Sequence, residues 1–266
     1  MPLRLEPSFR ERLASSDRAF IGMWACSGSA LVTEVAAGSG LDWLLIDMEH
    51  SANTLETVLL QLQVVAAYPI APVVRVPSND TVAIKQVLDL GAQNLIVPMV
   101  SSADEARSAV AATRYPPEGV RGVGSALARS ARWNRVDRYL QESAQHTSLT
   151  VQIETTAGVD AAVEIATVDG VDAVFVGPSD LSASMGLLGQ QTHPDVVAAV
   201  EQVFTAVRAA GKPVGVNAFD PAAADAYVAA GADFVAVGAD VALLARASEA
   251  LAARFITTDG PARASY

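Results

Sequence analysis

Short apolar runs alternate along the chain with longer, alanine-rich stretches of helical length. The runs predict strands at Phe20–Trp24, Trp43–Asp47, Pro72–Val76, Asn94–Pro98, Leu149–Ile153, Ala173–Gly177, Pro213–Val216 and Phe234–Gly238. They are apolar on both faces, as parallel strands are when helices cover them. The intervening segments predict helices over Ala30–Ala37, Leu55–Ala67, Thr81–Leu90, Ala103–Thr113, Asp160–Ala166, Pro194–Ala210, Pro221–Ala230 and Val241–Phe255. Start signals precede several of them: Asn79-Asp80 before Thr81, Ser102 before Ala103, and Asp220-Pro221. Gly40, Gly91, Gly170, Gly211 and Gly231 stand where a helix hands over to a strand, a position that favours left-handed backbone. Eight β/α units without a linker predict a single (β/α)8 TIM barrel of the α/β class over residues 1–256. The small, polar tail Thr257–Tyr266 is expected to fray. Tyr115–Thr147 is too long for a plain connector and is expected to be functional.

Composition narrows the function classes. Of 266 residues, 51% are hydrophobic and 18% charged, which excludes a disordered chain. The net charge of −11 disfavours a nucleic-acid partner. The first twenty residues hold no apolar signal core, and no apolar run is long enough for a membrane span. A cytoplasmic location is the expectation. The single cysteine, Cys26, excludes a disulfide framework and reads as a small buried apolar residue. Only two lysines occur, Lys85 and Lys212; every other basic residue is arginine.

A TIM barrel carries its chemistry at the C-terminal ends of the strands. Here those ends read Asp47-Met48-Glu49-His50, Arg75, Gln152-Ile153-Glu154 and Gly177-Pro178-Ser179-Asp180. Glu154 and Asp180, one β/α unit apart, suit a hard divalent cation; they suit helix caps or pairing with arginine equally. His50 is a general base, a metal ligand, or a histidine tied structurally to a neighbouring carboxylate. Arg75 holds a carboxylate or developing oxyanion, or else pairs inside the barrel with Asp47 or Glu49. Asp47 and Glu49 orient His50, hold metal-bound waters, or act as caps and rim partners. Gln152 shares a side with Glu154 and is a substrate-binding candidate. The motif Arg121-Gly122-Val123-Gly124 is a weak ligand-wrapping signal beside an ordinary turn. Trp24 and Trp43 read as core or interface.

Taken in order, DWLLIDMEHSANT, VVRVPSND, LDLGAQNLIVPMV, RYPPEGVRGVG, VQIETTAGV and VFVGPSDLSASMG resemble the HpcH/HpaI family of metal-dependent pyruvate aldolases over roughly residues 18–255. The resemblance implies that Glu154 and Asp180 bind Mg²⁺, Mn²⁺ or Co²⁺, without an organic cofactor. It implies that His50 is the catalytic histidine and that Arg75 stabilises an enolate. It assigns Gln152 to the substrate, and the Ser179 and Asp180 backbone to the substrate carboxylate; the family often has alanine at the Ser179 position. It makes Asp89, in LDLGA, the aspartate that raises the basicity of the histidine. A residue at the end of a helix belongs at the opposite rim, so either a neighbouring subunit supplies Asp89 or the helix is misplaced. The implied reaction is reversible cleavage of a 4-hydroxy-2-oxo acid to pyruvate, or hydroxypyruvate, and an aldehyde through a metal-stabilised enolate. The implied assembly is a homohexamer, a trimer of dimers with the last helix exchanged.

The lysines bear on mechanism independently. A Schiff-base aldolase needs a lysine amine in its site. Lys85 falls inside a predicted helix and Lys212 before the seventh strand, so neither is expected to serve. Alternatives are a metal-enolate lyase acting on a CoA-linked or larger substrate, a phosphate-binding barrel isomerase using Gly215 and the Gly238-Ala239 turn, and an inactive barrel with a binding role.

Overall fold

The computed structural model describes residues 3–256, so the expected tail Thr257–Tyr266 lies outside the described residues. Eight parallel strands close on themselves in sequence order: β1 Phe20–Ala25, β2 Trp43–Asp47, β3 Ala71–Arg75, β4 Asn94–Val97, β5 Ser148–Ile153, β6 Ala173–Val176, β7 Val214–Asn217 and β8 Phe234–Ala239. Around and between them lie α1 Phe9–Ala14, α2 Ala30–Ala37, α3 Leu55–Val65, α4 Thr81–Asp89, α5 Ala103–Thr113, α6 Tyr139–His146, α7 Thr156–Asp160, α8 Ala162–Ala166, α9 Pro178–Ser184, α10 Pro194–Ala209, α11 Pro221–Ala229 and α12 Asp240–Phe255. A single 3₁₀ turn covers Arg129–Ala131. The expected barrel is present, and each expected strand agrees with the observed one to within a residue.

The start signals act as read. Asp80, Ser102 and Asp220 each accept a backbone N–H from the first turn of the helix that follows. The helix expected over Asp160–Ala166 is instead the pair α7 and α8, broken at Ala161. Tyr115–Thr147 is not wholly irregular, since it contains the 3₁₀ turn and α6.

Alternation along the strands sorts side chains between two cores. Outward residues such as Leu44 and Ile46 pack beneath the helices. Inward residues of β2, β3, β5 and β6 are Trp43, Leu45 and Asp47; Ala71, Val73 and Arg75; Ser148, Thr150 and Gln152; and Ala173 and Phe175. The interior is therefore filled mostly by aromatic and aliphatic side chains, with Asp47, Arg75 and Gln152 at the C-terminal end. A methyl group on Gly22 would overlap the Trp43 ring, and one on Gly215 the Phe234 ring, so these glycines make room for the large aromatics. Gly215 thus has a packing duty inside the barrel, and Gly238 lies within β8 rather than in a turn.

Helix α1 closes the N-terminal end. Ser8 and Glu11 form a reciprocal capping box that starts it. Phe9 then enters the barrel, with its ring centroid 5.2 Å from Phe234 and 5.6 Å from Trp43. Its backbone N–H donates to Asn94 Oδ1 at 2.7 Å. The open end is the other one.

Candidate active site

At the open end, Asp47 and Arg75 stand opposite each other on β2 and β3. Arg75 Nε donates to Asp47 Oδ1 at 2.8 Å, and Nη1 stands 2.9 Å from Glu49 Oε2. The second contact is an ion pair without hydrogen-bond alignment, since Glu49 Oε2 accepts no hydrogen bond. Both expected pairings of Arg75 occur at once. Among the described residues its Nη2 has no protein partner, so one donor edge remains for a ligand. The guanidinium also lies over Trp24, 4.3 Å from the ring centroid. Trp24 is core, as expected, and is also the surface on which Arg75 rests.

Asp47 builds the following turn, accepting the backbone N–H groups of Glu49 at 3.0 Å and His50 at 3.1 Å. His50 thereby projects from the rim, 64% exposed, with Nε2 4.0 Å from Glu49 Oε1. Burial pushes the Glu49 carboxyl up, while Arg75 pulls it down and Asp47 and Asp180 add to the rise.

Glu154 is 2% exposed at the end of β5. Burial drives its carboxyl up to about 7, against hydrogen bonds from Gln152 Nε2 and the Met99 N–H, with Glu49 and Asp180 adding repulsion. Gln152 is equally buried, and its Oε1 has no partner. A methyl group on Gly177 would stand 2.7 Å from Glu154 Oε2 and 3.0 Å from Gln152 Nε2. Only glycine leaves this cradle open. Pro178 begins α9, which carries Ser179 and Asp180, both exposed on the rim.

These groups fit a hard cation. A desolvated carboxylate pressed by like charges is relieved by positive charge, and the donors are oxygens. Among the described residues no three acidic, histidine or cysteine side chains gather as a cage.

Sequence profile and relatives identify the family. The profile of the family described as HpcH/HpaI aldolase/citrate lyase matches residues 20–247. The chain belongs to that family. It is 53% identical over 251 residues to 4-hydroxy-2-oxo-heptane-1,7-dioate aldolase of Salmonella heidelberg (strain SL476), covering 94% of this chain and 95% of that one. The crystal structure of an HpcH/HpaI aldolase/citrate lyase family protein from Burkholderia cenocepacia J2315 superposes with a TM-score of 0.89 at 40% identity, covering 93% and 98%. That of an HpcH/HpaI aldolase from Desulfitobacterium hafniense DCB-2 does so with 0.84 at 29%, covering 96% and 100%. The enzyme is a carbon–carbon lyase of this family, performing metal-dependent aldol cleavage of a 2-oxo acid to pyruvate and an aldehyde.

Not every expected residue joins the site. Asp89 is the last residue of α4, where the helix has run back to the N-terminal face of the barrel. There it accepts from Arg121 Nη2 at 3.1 Å and makes no contact with His50 of its own chain. Helix α4 therefore stands where it was expected, and the geometry objection to Asp89 holds within one chain. Tyr115–Thr147 follows α5 and emerges at that same face: Arg121 pairs with Asp89, and Arg129 Nη1 donates to the Leu90 carbonyl at 3.0 Å. It does not overhang its own catalytic rim. Cys26 is half-buried rather than buried, at the end of β1. Burial, then Asp47 and Asp240, push its thiol up to about 12, so it is no nucleophile. Asp240 was not foreseen. It accepts the N–H groups of Cys26 at 2.8 Å and Ser27 at 3.1 Å and ties the β1 loop to α12. No motif signals this tie, because the Cys26 and Ser27 N–H groups lie more than 200 residues away in sequence.

Proposed function

We propose that Glu154 and Asp180 hold Mg²⁺, Mn²⁺ or Co²⁺, and that Arg75, His50 and Gln152 act on a 4-hydroxy-2-oxo acid beside it. The buried, upward-shifted Glu154 carboxyl beside Asp180 and the unpartnered Gln152 oxygen is the observation that carries this reading. The cation supplies Lewis acidity to the keto and carboxylate oxygens of the oxo acid. Arg75 aims its free Nη2 at the oxygen on which enolate charge develops, and the charge pair strengthens as C3–C4 breaks. His50 takes the proton of the C4 hydroxyl during cleavage and returns it to the aldehyde oxygen in the reverse direction, while the enolate carbon C3 takes a proton from solvent water to give pyruvate. Gln152 orients the oxo acid through its spare acceptor, and the Ser179 and Asp180 backbone receives the carboxylate.

No lysine serves. Lys212 Nζ donates to the Val171 carbonyl at 2.8 Å, at the far end of the barrel, and Lys85 lies on α4. Asp89 is assigned to His50 of a neighbouring subunit, and Arg121-Gly122-Val123-Gly124 travels with it. The exposed Val120, Val123 and Leu127 beside it, and the exposed apolar side of α12, are the surfaces we assign to contacts between subunits, in a homohexamer with α12 exchanged.

The relatives named as 4-hydroxy-2-oxo-heptane-1,7-dioate aldolases make that dicarboxylate the first substrate to test, giving pyruvate and succinic semialdehyde. The donor in the reverse direction is pyruvate, with hydroxypyruvate second. A retro-aldol panel of 4-hydroxy-2-oxo acids, read by pyruvate release, tests the assignment. Turnover of at least one member that fails in Arg75→Lys supports it. No pyruvate from any member contradicts it.

A further inference from the structure

Two contacts at the open end are unused by the reaction as described. Trp24, next to last in β1, is 7% exposed and lies beneath Arg75. Its indole Nε1 donates to Asn217 Oδ1 at 2.8 Å. Asn217 is the last residue of β7 and half-buried. A chain of contacts therefore crosses the mouth of the barrel from β7 through β1 to β3.

Each link does a different job. Asp47 and Glu49 grip two edges of the guanidinium. Neither prevents the plane from tipping down toward the barrel interior, where Trp24 lies against Phe175. The Trp24 ring blocks that movement and attracts the cation through its face. An indole in turn has two opposed orientations about its second side-chain torsion. The bond to Asn217 selects one of them, because the other would bury an unsatisfied N–H.

We infer that Trp24 and Asn217 are positioning residues for Arg75: Asn217 locks the indole, and the indole face sets the guanidinium plane from which Nη2 reaches the enolate oxygen. This rests on the proposed role of Arg75. It extends that role to two residues that touch neither metal nor reacting atoms.

A misaimed Arg75 loses most where charge is greatest, in the enolate-like transition state. Loss of position therefore lowers kcat and spares KM. The test follows enolisation alone, as exchange of pyruvate methyl protons for deuterium by the metal-loaded enzyme. Calorimetric affinity for oxalate, a planar enolate-like dianion, is measured beside affinity for pyruvate. Trp24→Leu is expected to lower the exchange kcat and weaken oxalate about 2- to 30-fold, the span of a cation–π contact. Asn217→Ala is expected to cost about 2- to 10-fold in both, as one hydrogen bond does. KM and affinity for pyruvate should stay within about twofold in both variants. Trp24→Phe keeps a ring but loses the N–H and should match Asn217→Ala, which covers the case of a Trp24→Leu chain that does not fold. Asn217→Asp restores the acceptor and should recover most of the rate. In an Arg75→Lys enzyme the Trp24 substitution should add almost nothing.

Equal losses from Trp24→Leu in the native and Arg75→Lys backgrounds would overturn the inference, as would native exchange in both single variants. If Arg75→Lys itself leaves exchange and oxalate binding unchanged, the assigned role of Arg75 falls, and this inference with it.

Discussion

Burial holds the Glu154 carboxyl up to about 7 in the metal-free chain, and this has a consequence for stability. The folded group keeps its proton to higher pH than the unfolded one. The penalty is absent below about pH 4.5 and grows as pH rises through 7, reaching about 3 kcal/mol. Glu154→Gln should therefore raise the melting temperature of metal-free protein at pH 8, and the difference should vanish near pH 4; calorimetry across pH reads it. The same group makes cation affinity fall as pH drops below 7, since proton and metal compete for one carboxylate. His50 belongs to another class, being exposed on the rim. His50→Ala should leave metal binding intact and lower turnover about 10²- to 10⁴-fold, the usual worth of an acid–base group. Strand-end position was enough to single out His50, Arg75, Gln152, Glu154 and Asp180 from the sequence, because the fold delivers those positions to one rim. It was not enough for the simultaneous grip of Arg75 by Asp47, Glu49 and Trp24, which depends on register across three strands. Nor could it give Asp89 a partner, because Asp89 faces away from its own site.

Among the elements, α1 gives the clearest separation of fold from chemistry. Phe9 is 1% exposed and plugs the barrel at the end remote from His50. Phe9→Ala should cost about 3–5 kcal/mol of stability, as buried aromatic truncations do. It should leave kcat of the folded enzyme unchanged, and denaturant melts beside steady-state rates would check both. A parallel loss of kcat would place α1 in the site. The strands were legible because they are short, apolar on both sides and punctuated by glycine. Gly231, at φ +98°, shows that punctuation at work after α11. The short helices were missed for want of length, not of signals. Ser8 and Glu11 already spelled the capping box of α1, and Pro178 already sat at the start of α9. The break between α7 and α8 at Ala161 has no such marker, since alanine there is an ordinary helix former.

For the whole molecule, the apolar surface is the feature that a lone barrel does not use. Leu243, Leu244, Leu251 and Phe255 of α12 are 58–73% exposed, so their stripe does not pack on its own barrel. None of the helices among the described residues is long and apolar enough to cross a membrane. The expected outcome is a hexamer in sedimentation, which Leu244→Arg with Phe255→Arg should reduce to smaller species. If a neighbouring subunit provides Asp89, activity should fall in step with dissociation; fully active monomers would remove Asp89 from the reaction. Whether a cation or a lysine stabilises the enolate is decided by pyruvate release after chelation. EDTA should abolish turnover of a 4-hydroxy-2-oxo acid, Mn²⁺ or Mg²⁺ should restore it, and borohydride with substrate should leave the enzyme active. Undiminished turnover in EDTA, or borohydride trapping of substrate on Lys85 or Lys212, would contradict the account.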